Sequence, residues 1–210
     1  DGRCPMWRAD GLCRIQAELG EAALCHTCRE FPRLRHDYGD FVELGLELSC
    51  PEAAKFILTA PPAAPLEEEI PGGEPPEYDE EAMAVLKATR RTALTLLSDA
   101  SRPIGETLAL LLLYGCQAQS ELDGADILPF EAASALAEAH SLAKTGDVQQ
   151  LPDFFRSLEI LTPDWEALLR NPTPGPWPAE TLALARYLVE RYWLQAVSDY
   201  DLYCRVKFLI

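Results

Sequence analysis

Five of the seven cysteines in this 210-residue chain fall within the first fifty positions: Cys4, Cys13, Cys25, Cys28 and Cys50. Their spacing is C-x8-C-x11-C-x2-C-x21-C. Thiolates are soft ligands that select zinc or iron–sulfur over calcium or magnesium. An odd count at this density fits a disulfide framework less well than a metal site. On spacing alone zinc, an iron–sulfur cluster, and disulfides or free thiols all stay open. His26, between Cys25 and Cys28, is a possible zinc ligand or a solvated loop histidine. The remaining two, Cys116 and Cys204, lie on apolar helical patterns and read as small buried hydrophobes.

Cys50 has a legible local setting. Ser49-Cys-Pro-Glu52 has the form of a capping box, with serine at the N-cap and glutamate three residues on. Pro51 falls in the first turn, where its missing N–H costs nothing. The pattern predicts a helix running to about Leu58, with Cys50 at its positive end, where a thiolate is favoured. Before it, residues 12–30 read as two short helices joined at Gly20 and ended by Phe31-Pro32. Asp40 to Leu48 reads as a short strand or extended segment, weakened by Gly45.

Composition shifts sharply between Ala60 and Tyr78, where six prolines, Gly72-Gly73 and the acidic run Glu67–Glu69 occur together. This reads as a linker or exposed loop over 61–78. It divides a cysteine-rich module, 1–60, from a helical domain, 79–210. In the latter, apolar periodicity predicts helices over Asp79–Ala100 with Asp79 as cap, Pro103–Leu122, Phe130–Lys144, Leu151–Leu158, Pro163–Leu169, Ala179–Val197 and Asp199–Ile210. Gly146 is a helix stop, and Asn171–Pro178 breaks the chain. The fold class is mainly α: a small cysteine-rich metal-binding N-terminal module followed by a helical domain.

The formal net charge is −16, and most of the excess lies beyond residue 60. Such a balance argues against nucleic acid, whose binding rests on neutralising phosphates with Lys and Arg, and against an anionic membrane surface. The longest apolar run, Leu108–Cys116, is half the length needed to span a bilayer and reads as a buried helix. No signal pattern opens the chain, and the expected location is the cytoplasm. The first residue is Asp1 rather than an initiator Met, so the chain is expected to begin inside a longer protein.

Glycine-rich nucleotide loops are absent, as is Cys-x3-Cys-x2-Cys. His26, His36 and His140 do not assemble a convincing Ser-His-Asp set, and His140 on its Ala-rich helix reads as structural. Arg186 to Trp193, followed by Asp199-Tyr-Asp201, concentrates aromatics and acids. It reads as a core-facing aromatic stripe with a salt-bridged outer face, or as a pocket wall for a sulfonium or ammonium cation.

Gly11-Leu-Cys13 through Gly20, then Cys28-Arg-Glu-Phe-Pro-Arg33, then Leu46-Glu-Leu-Ser-Cys-Pro-Glu-Ala-Ala54, together resemble the flagellin lysine-N-methylase family of bacteria. The tail, Tyr187–Tyr192 and Asp201–Phe208, is similar but less specific. The resemblance implies S-adenosylmethionine-dependent methylation of lysine side chains on flagellin. It also implies a cysteine-ligated 4Fe–4S cluster, which moves iron–sulfur ahead of zinc. By position it assigns Cys4, Cys13, Cys28 and Cys50 as ligands, leaving Cys25 as an extra that ranks last. The family's pattern extends beyond both ends, which implies a chain truncated at both. A lysine must be neutral to attack, so a base or a desolvating pocket must lower its pKa. Tyr187, Glu190, Tyr192 and Asp199 are the candidates. The alternative is a non-catalytic zinc or iron–sulfur helical interaction module, and an electron carrier is the weakest reading.

Overall fold

Helix α1 (Arg14–Leu19) and helix α2 (His26–Glu30) are short, and each begins directly after a cysteine, Cys13 and Cys25. The computed structural model describes residues 4–61, 66–69, 76–145, 150–170 and 176–209. It divides the chain into two units, Asp1–Glu77 and Tyr78–Ile210.

In the first unit, strands β1 (Arg33–Asp37), β2 (Phe41–Leu46) and β3 (Leu66–Glu69) form an antiparallel sheet in the order β1-β2-β3. The Tyr38 amide donates to the Phe41 carbonyl at 3.0 Å to close the β1–β2 turn, and Gly39 takes φ 97° there, a left-handed value that suits glycine. Register runs Asp37↔Val42 to Arg33↔Leu46, and Phe41↔Glu69 to Leu44↔Leu66. Only β2 was foreseen. Its first three residues, Phe41, Val42 and Glu43, are all buried rather than alternating, because β2 is the central strand and the Tyr38 ring stacks on Phe41 at 4.7 Å. Strand β3 lies inside the stretch read as a linker; residues 62–65 and 70–75 of that stretch fall outside the described residues.

Helix α3 (Pro51–Thr59) follows β2, and here the capping box does not form. Cys50 itself is the N-cap and Pro51 the first helical residue, so Ser49 lies one position too early to reach the helix amides.

The second unit contains α4 (Glu80–Leu97), α5 (Ile104–Leu122), α6 (Ala132–Thr145), α7 (Gln150–Ser157), α8 (Pro163–Arg170), α9 (Thr181–Tyr192), a 3₁₀ turn (Leu194–Ser198) and α10 (Leu202–Leu209). Asp79 caps α4 as expected, accepting from the Glu81 and Ala82 amides at 2.9 and 3.1 Å. The Ala82 amide, then the Tyr200 hydroxyl, hold its carboxyl below the usual carboxylate range. The single long helix expected over 179–197 ends instead at Tyr192. Trp193 is fully buried, and its indole N–H donates to Thr89 Oγ1 at 3.0 Å, drawing the chain onto α4 before the 3₁₀ turn. Helices α4 and α9 run antiparallel and exchange bonds: Arg90 donates to the Glu190 carbonyl at 3.2 Å, and Arg186 to Ser98 Oγ at 2.6 Å.

Cys116 and Cys204 are exposed, a correction to their expected burial. On α5 the buried stripe passes through Leu111, Gly115, Ala118 and Leu122, leaving Cys116 beside it; on α10 it passes through Leu202 and Val206, with Cys204 opposite. His140 is largely exposed and lies 3.3 Å from Glu106. No described helix is long and apolar enough to cross a membrane.

Gly115 sets the α5–α10 contact. A Cβ added there would sit 2.8 Å from Val206 Cγ1 and 3.1 Å from its Cβ. Alanine gains about 1 kcal/mol in helix propensity, but overpacking costs roughly 1–3 kcal/mol and this neighbour is close to backbone. Gly115→Ala is therefore expected to lower the urea-unfolding midpoint, and Val206→Ala in the same chain to restore part of the loss. A Gly115→Ala protein as stable as the parent would contradict this packing.

Candidate metal centre

The thiols are delivered by turns rather than by long elements. From Cys4 the chain turns at once, the Trp7 amide donating to the Cys4 carbonyl at 3.0 Å. It then doubles back: Arg8 and Leu12 pair through a 2.9 Å backbone bond, Gly11 adopts φ 81°, and Trp7 bridges to Cys13. The Arg14 amide donates to the Met6 carbonyl at 2.8 Å, so Cys13 returns to the neighbourhood of Cys4 as the N-cap of α1. Cys25 caps α2, and Cys28 lies in its first turn.

Cys13, Cys25 and Cys50 thus share one local position, the residue before a helix, and none of their sulfurs makes a capping hydrogen bond. The sulfurs remain available for other bonds. The amides of Cys28 and Thr27 nevertheless face the Cys25 sulfur. The Cys28 amide first, then the Cys28 thiol, pull the Cys25 thiol below its ordinary value. Cys28 moves the other way: donating to Cys25 raises it most, then the Cys25 charge and partial desolvation, and the charges of Cys4 and Cys13 add to the rise.

Four thiols therefore act in one electrostatic neighbourhood: Cys4, Cys13, Cys25 and Cys28. Three of them are among the positions assigned by resemblance. The fourth is Cys25, which ranked last, while Cys50 is not among the thiols acting on Cys28. Cys4, Cys25 and Cys28 are exposed, Cys13 and Cys50 half-buried, and His26 is exposed. Among the described residues, no three His, Cys, Asp or Glu side chains converge closely enough to hold one metal ion. A tetrahedral zinc site wants sulfurs about 3.8 Å apart, from Zn–S bonds of about 2.3 Å, so this is not a ready-made single-ion site. The donor chemistry, four soft ligands of which three are exposed and Cys13 half-buried, still fits a thiolate-held metal group.

The candidate catalytic residues lie in the second unit and do not share one focus. Glu190 lies 3.7 Å from the Arg186 guanidinium, and its carbonyl accepts from buried Arg90. Asp199 is bound to Arg205 by a short charged hydrogen bond. Both carboxylates thus lie against arginines. Tyr192 lies under the Arg191 guanidinium at 4.9 Å. It also lines an apolar hollow with Leu188, Val189, Trp193, Leu202, Arg205 and Val206, roomy enough for about one water-sized molecule. Tyr187 is half-buried and engaged in other contacts.

The class defined by fold and site is a mainly helical protein with a thiol-rich N-terminal module. No family model matches the chain, and no solved structure matches it. It is 32% identical over 177 residues to the Lysine-N-methylase of Salmonella typhimurium and, to the same extent, to that of Salmonella choleraesuis. Each match covers 76% of this chain and 44% of the relative, so the chain spans less than half the length of these proteins. It is also 48% identical over 67 residues to the Flagellar biosynthetic protein FliU of Salmonella muenchen, covering 32% of this chain and 40% of that one. The chain belongs to the lysine-N-methylase family.

In the reduced, metal-free protein, the lowered Cys25 thiol ionises at lower pH than the raised Cys28 thiol. Iodoacetamide followed by peptide mass spectrometry is expected to modify Cys25 first as pH rises through neutrality. In Cys28→Ala the amide at 28 stays and the side-chain donor goes, so the preference for Cys25 over the other thiols shrinks without vanishing. Earlier labelling of Cys28 in the parent would contradict the assignment.

Proposed function

We propose that this chain forms part of a cytoplasmic S-adenosylmethionine-dependent protein-lysine N-methyltransferase acting on flagellin. In this reading Cys4, Cys13, Cys25 and Cys28 hold an iron–sulfur cluster, 4Fe–4S rather than zinc. The observation that carries the metal part is the turn that brings Cys13 back toward Cys4, together with Cys25 and Cys28 one helical turn apart on α2. The reaction is supported by the names of the relatives, lysine-N-methylase and a flagellar biosynthetic protein. A cluster with several irons spreads its thiolates more widely than a single ion does, in keeping with thiols that do not converge on one point. When bound, such a cluster, with one thiolate on each iron, would supply structural cross-linking of the loops.

Methyl transfer itself is a displacement. The lysine nitrogen lone pair forms the new N–C bond, the C–S bond breaks with its electron pair left on sulfur, and the amine proton goes to a base or to water. Only a neutral lysine can attack, so the site must desolvate it or take its proton first. Glu190 and Asp199, bound to arginines, are better suited to hold α9 and α10 in place than to accept that proton. Tyr192 lines the apolar hollow, which has room for about one water-sized molecule and not for a lysine stem. The same engagement of both carboxylates is what favours the second reading, a non-catalytic metal-binding interaction module.

Two measurements test these readings. Reconstituted anaerobically, the Cys4→Ser, Cys13→Ser, Cys25→Ser and Cys28→Ser proteins are expected to lose most of their iron and the brown absorbance near 400 nm, with Cys50→Ser retaining both. Retention of iron by Cys25→Ser together with loss by Cys50→Ser would restore Cys50 to the ligand set. Calorimetry on the full-length protein should register S-adenosylmethionine binding, and its absence would sink the methyltransferase reading in favour of the second.

A further inference from the structure

Helices α7 and α8 are each other's principal neighbours. They close on a small aromatic core, with Phe155 edge-on to Trp165 at 5.8 Å and Phe154 against Phe155 at 5.6 Å. Arg156 fastens the pair by donating to the Leu169 carbonyl at 2.9 Å, and Leu169 is buried. Around this core the hairpin and its connection leave apolar side chains exposed. Phe154, Leu158, Leu161 and Leu168 are 56%, 47%, 79% and 67% exposed. With Ile160, they make five of the seventeen exposed large hydrophobics among the described residues, all within positions 154–168. Single exposed leucines need no explanation, but a concentration of this kind marks a contact surface.

Charge selects the partner. Asp153 pairs with Arg156 at 2.5 Å and Glu166 with Arg170 at 2.6 Å, which consumes both arginines of the hairpin. Glu159 and Asp164, on the same short stretch, hold no ion pair among the described residues. The uncompensated charge beside the apolar patch is therefore negative. A second copy of this chain would bring like charges together, as would any acidic partner, whereas a cationic one is attracted. Lysine suits such a rim, because its aliphatic stem lies on apolar surface while its ammonium stays in water beside a carboxylate.

We propose that the exposed face of the α7–α8 hairpin docks the protein substrate, through a segment in which lysines flank apolar side chains. The proposal rests on the lysine-methylation reading for the identity of that partner. Its test does not need the reaction. Fluorescence anisotropy of a labelled amphipathic peptide of leucine and lysine is measured with the full-length protein, without methyl donor or iron. Binding is expected for the parent and is expected to weaken as salt is raised. It should fall at least about tenfold in Leu161→Ser/Leu168→Ser, and likewise in Glu159→Lys/Asp164→Lys. The altered side chains are exposed, so circular dichroism should be unchanged in both double variants. A matched peptide of leucine and glutamate should not bind.

Equal binding by the parent and both double variants would overturn the proposal. So would concentration-dependent self-association relieved by Leu161→Ser/Leu168→Ser with no peptide binding, which would make the patch a homotypic contact. If the peptide binds as expected but no methyl group is ever transferred, docking stands and the proposed reaction falls. If methylation of a protein substrate is intact in both double variants, the docking site falls and the reaction stands.

Discussion

Mutual repulsion among neighbouring thiolates is the constraint on which the N-terminal unit depends. Two unit charges 4 Å apart cost about 1 kcal/mol in water and several times that near a protein surface. The Cys28 thiol is raised first by its hydrogen bond to Cys25, then by the Cys25 charge and desolvation, with the charges of Cys4 and Cys13 adding to the rise. Neighbouring thiols of this kind are either protonated and prone to oxidation or ionised around a cation. Three helices of this unit start directly after a cysteine, and the sulfurs of Cys13 and Cys50 make no capping bond. A serine or aspartate at those positions would have capped the helix better.

Much of the fold was legible, and the parts that were not share a cause. Helices α4 and α5 are long, periodic and bounded by Asp79 and Pro103, so local rules suffice. Strand β3 has no periodic signal at all: Leu66–Glu69 is exposed throughout and is a strand only because β2 offers it an edge. The end of α9 is equally non-local, set by the Trp193–Thr89 bond across more than a hundred positions. Gln119 works in the same way. Its Oε1 accepts from the Leu202 and Tyr203 amides at 2.8 and 2.9 Å and its Nε2 donates to the Tyr200 carbonyl, so a side chain on α5 caps α10 and holds Tyr200 at φ 58°. Nothing near position 200 announces that.

The site divides along the same line. Clustering of five cysteines in fifty residues was visible as spacing, and spacing pointed to soft-metal chemistry. That Cys13 folds back toward Cys4 was not, because it follows from the Trp7–Cys13 bridge and the turn at Gly11 rather than from interval lengths. The aromatic and acidic tail shows the opposite error of emphasis. Its residue types suggested a cation pocket, but Arg186 and Arg205, drawn from the same helices, occupy its carboxylates. Composition counts charges; it does not say which ones face each other.

X-ray absorption spectroscopy at the iron edge, on the anaerobically reconstituted protein, tests the central claim most directly. The account predicts a first shell made of sulfur and a second shell of iron neighbours, as in a thiolate-held cluster. A shell of oxygen or nitrogen without iron neighbours, or no stoichiometric iron to measure, would contradict it.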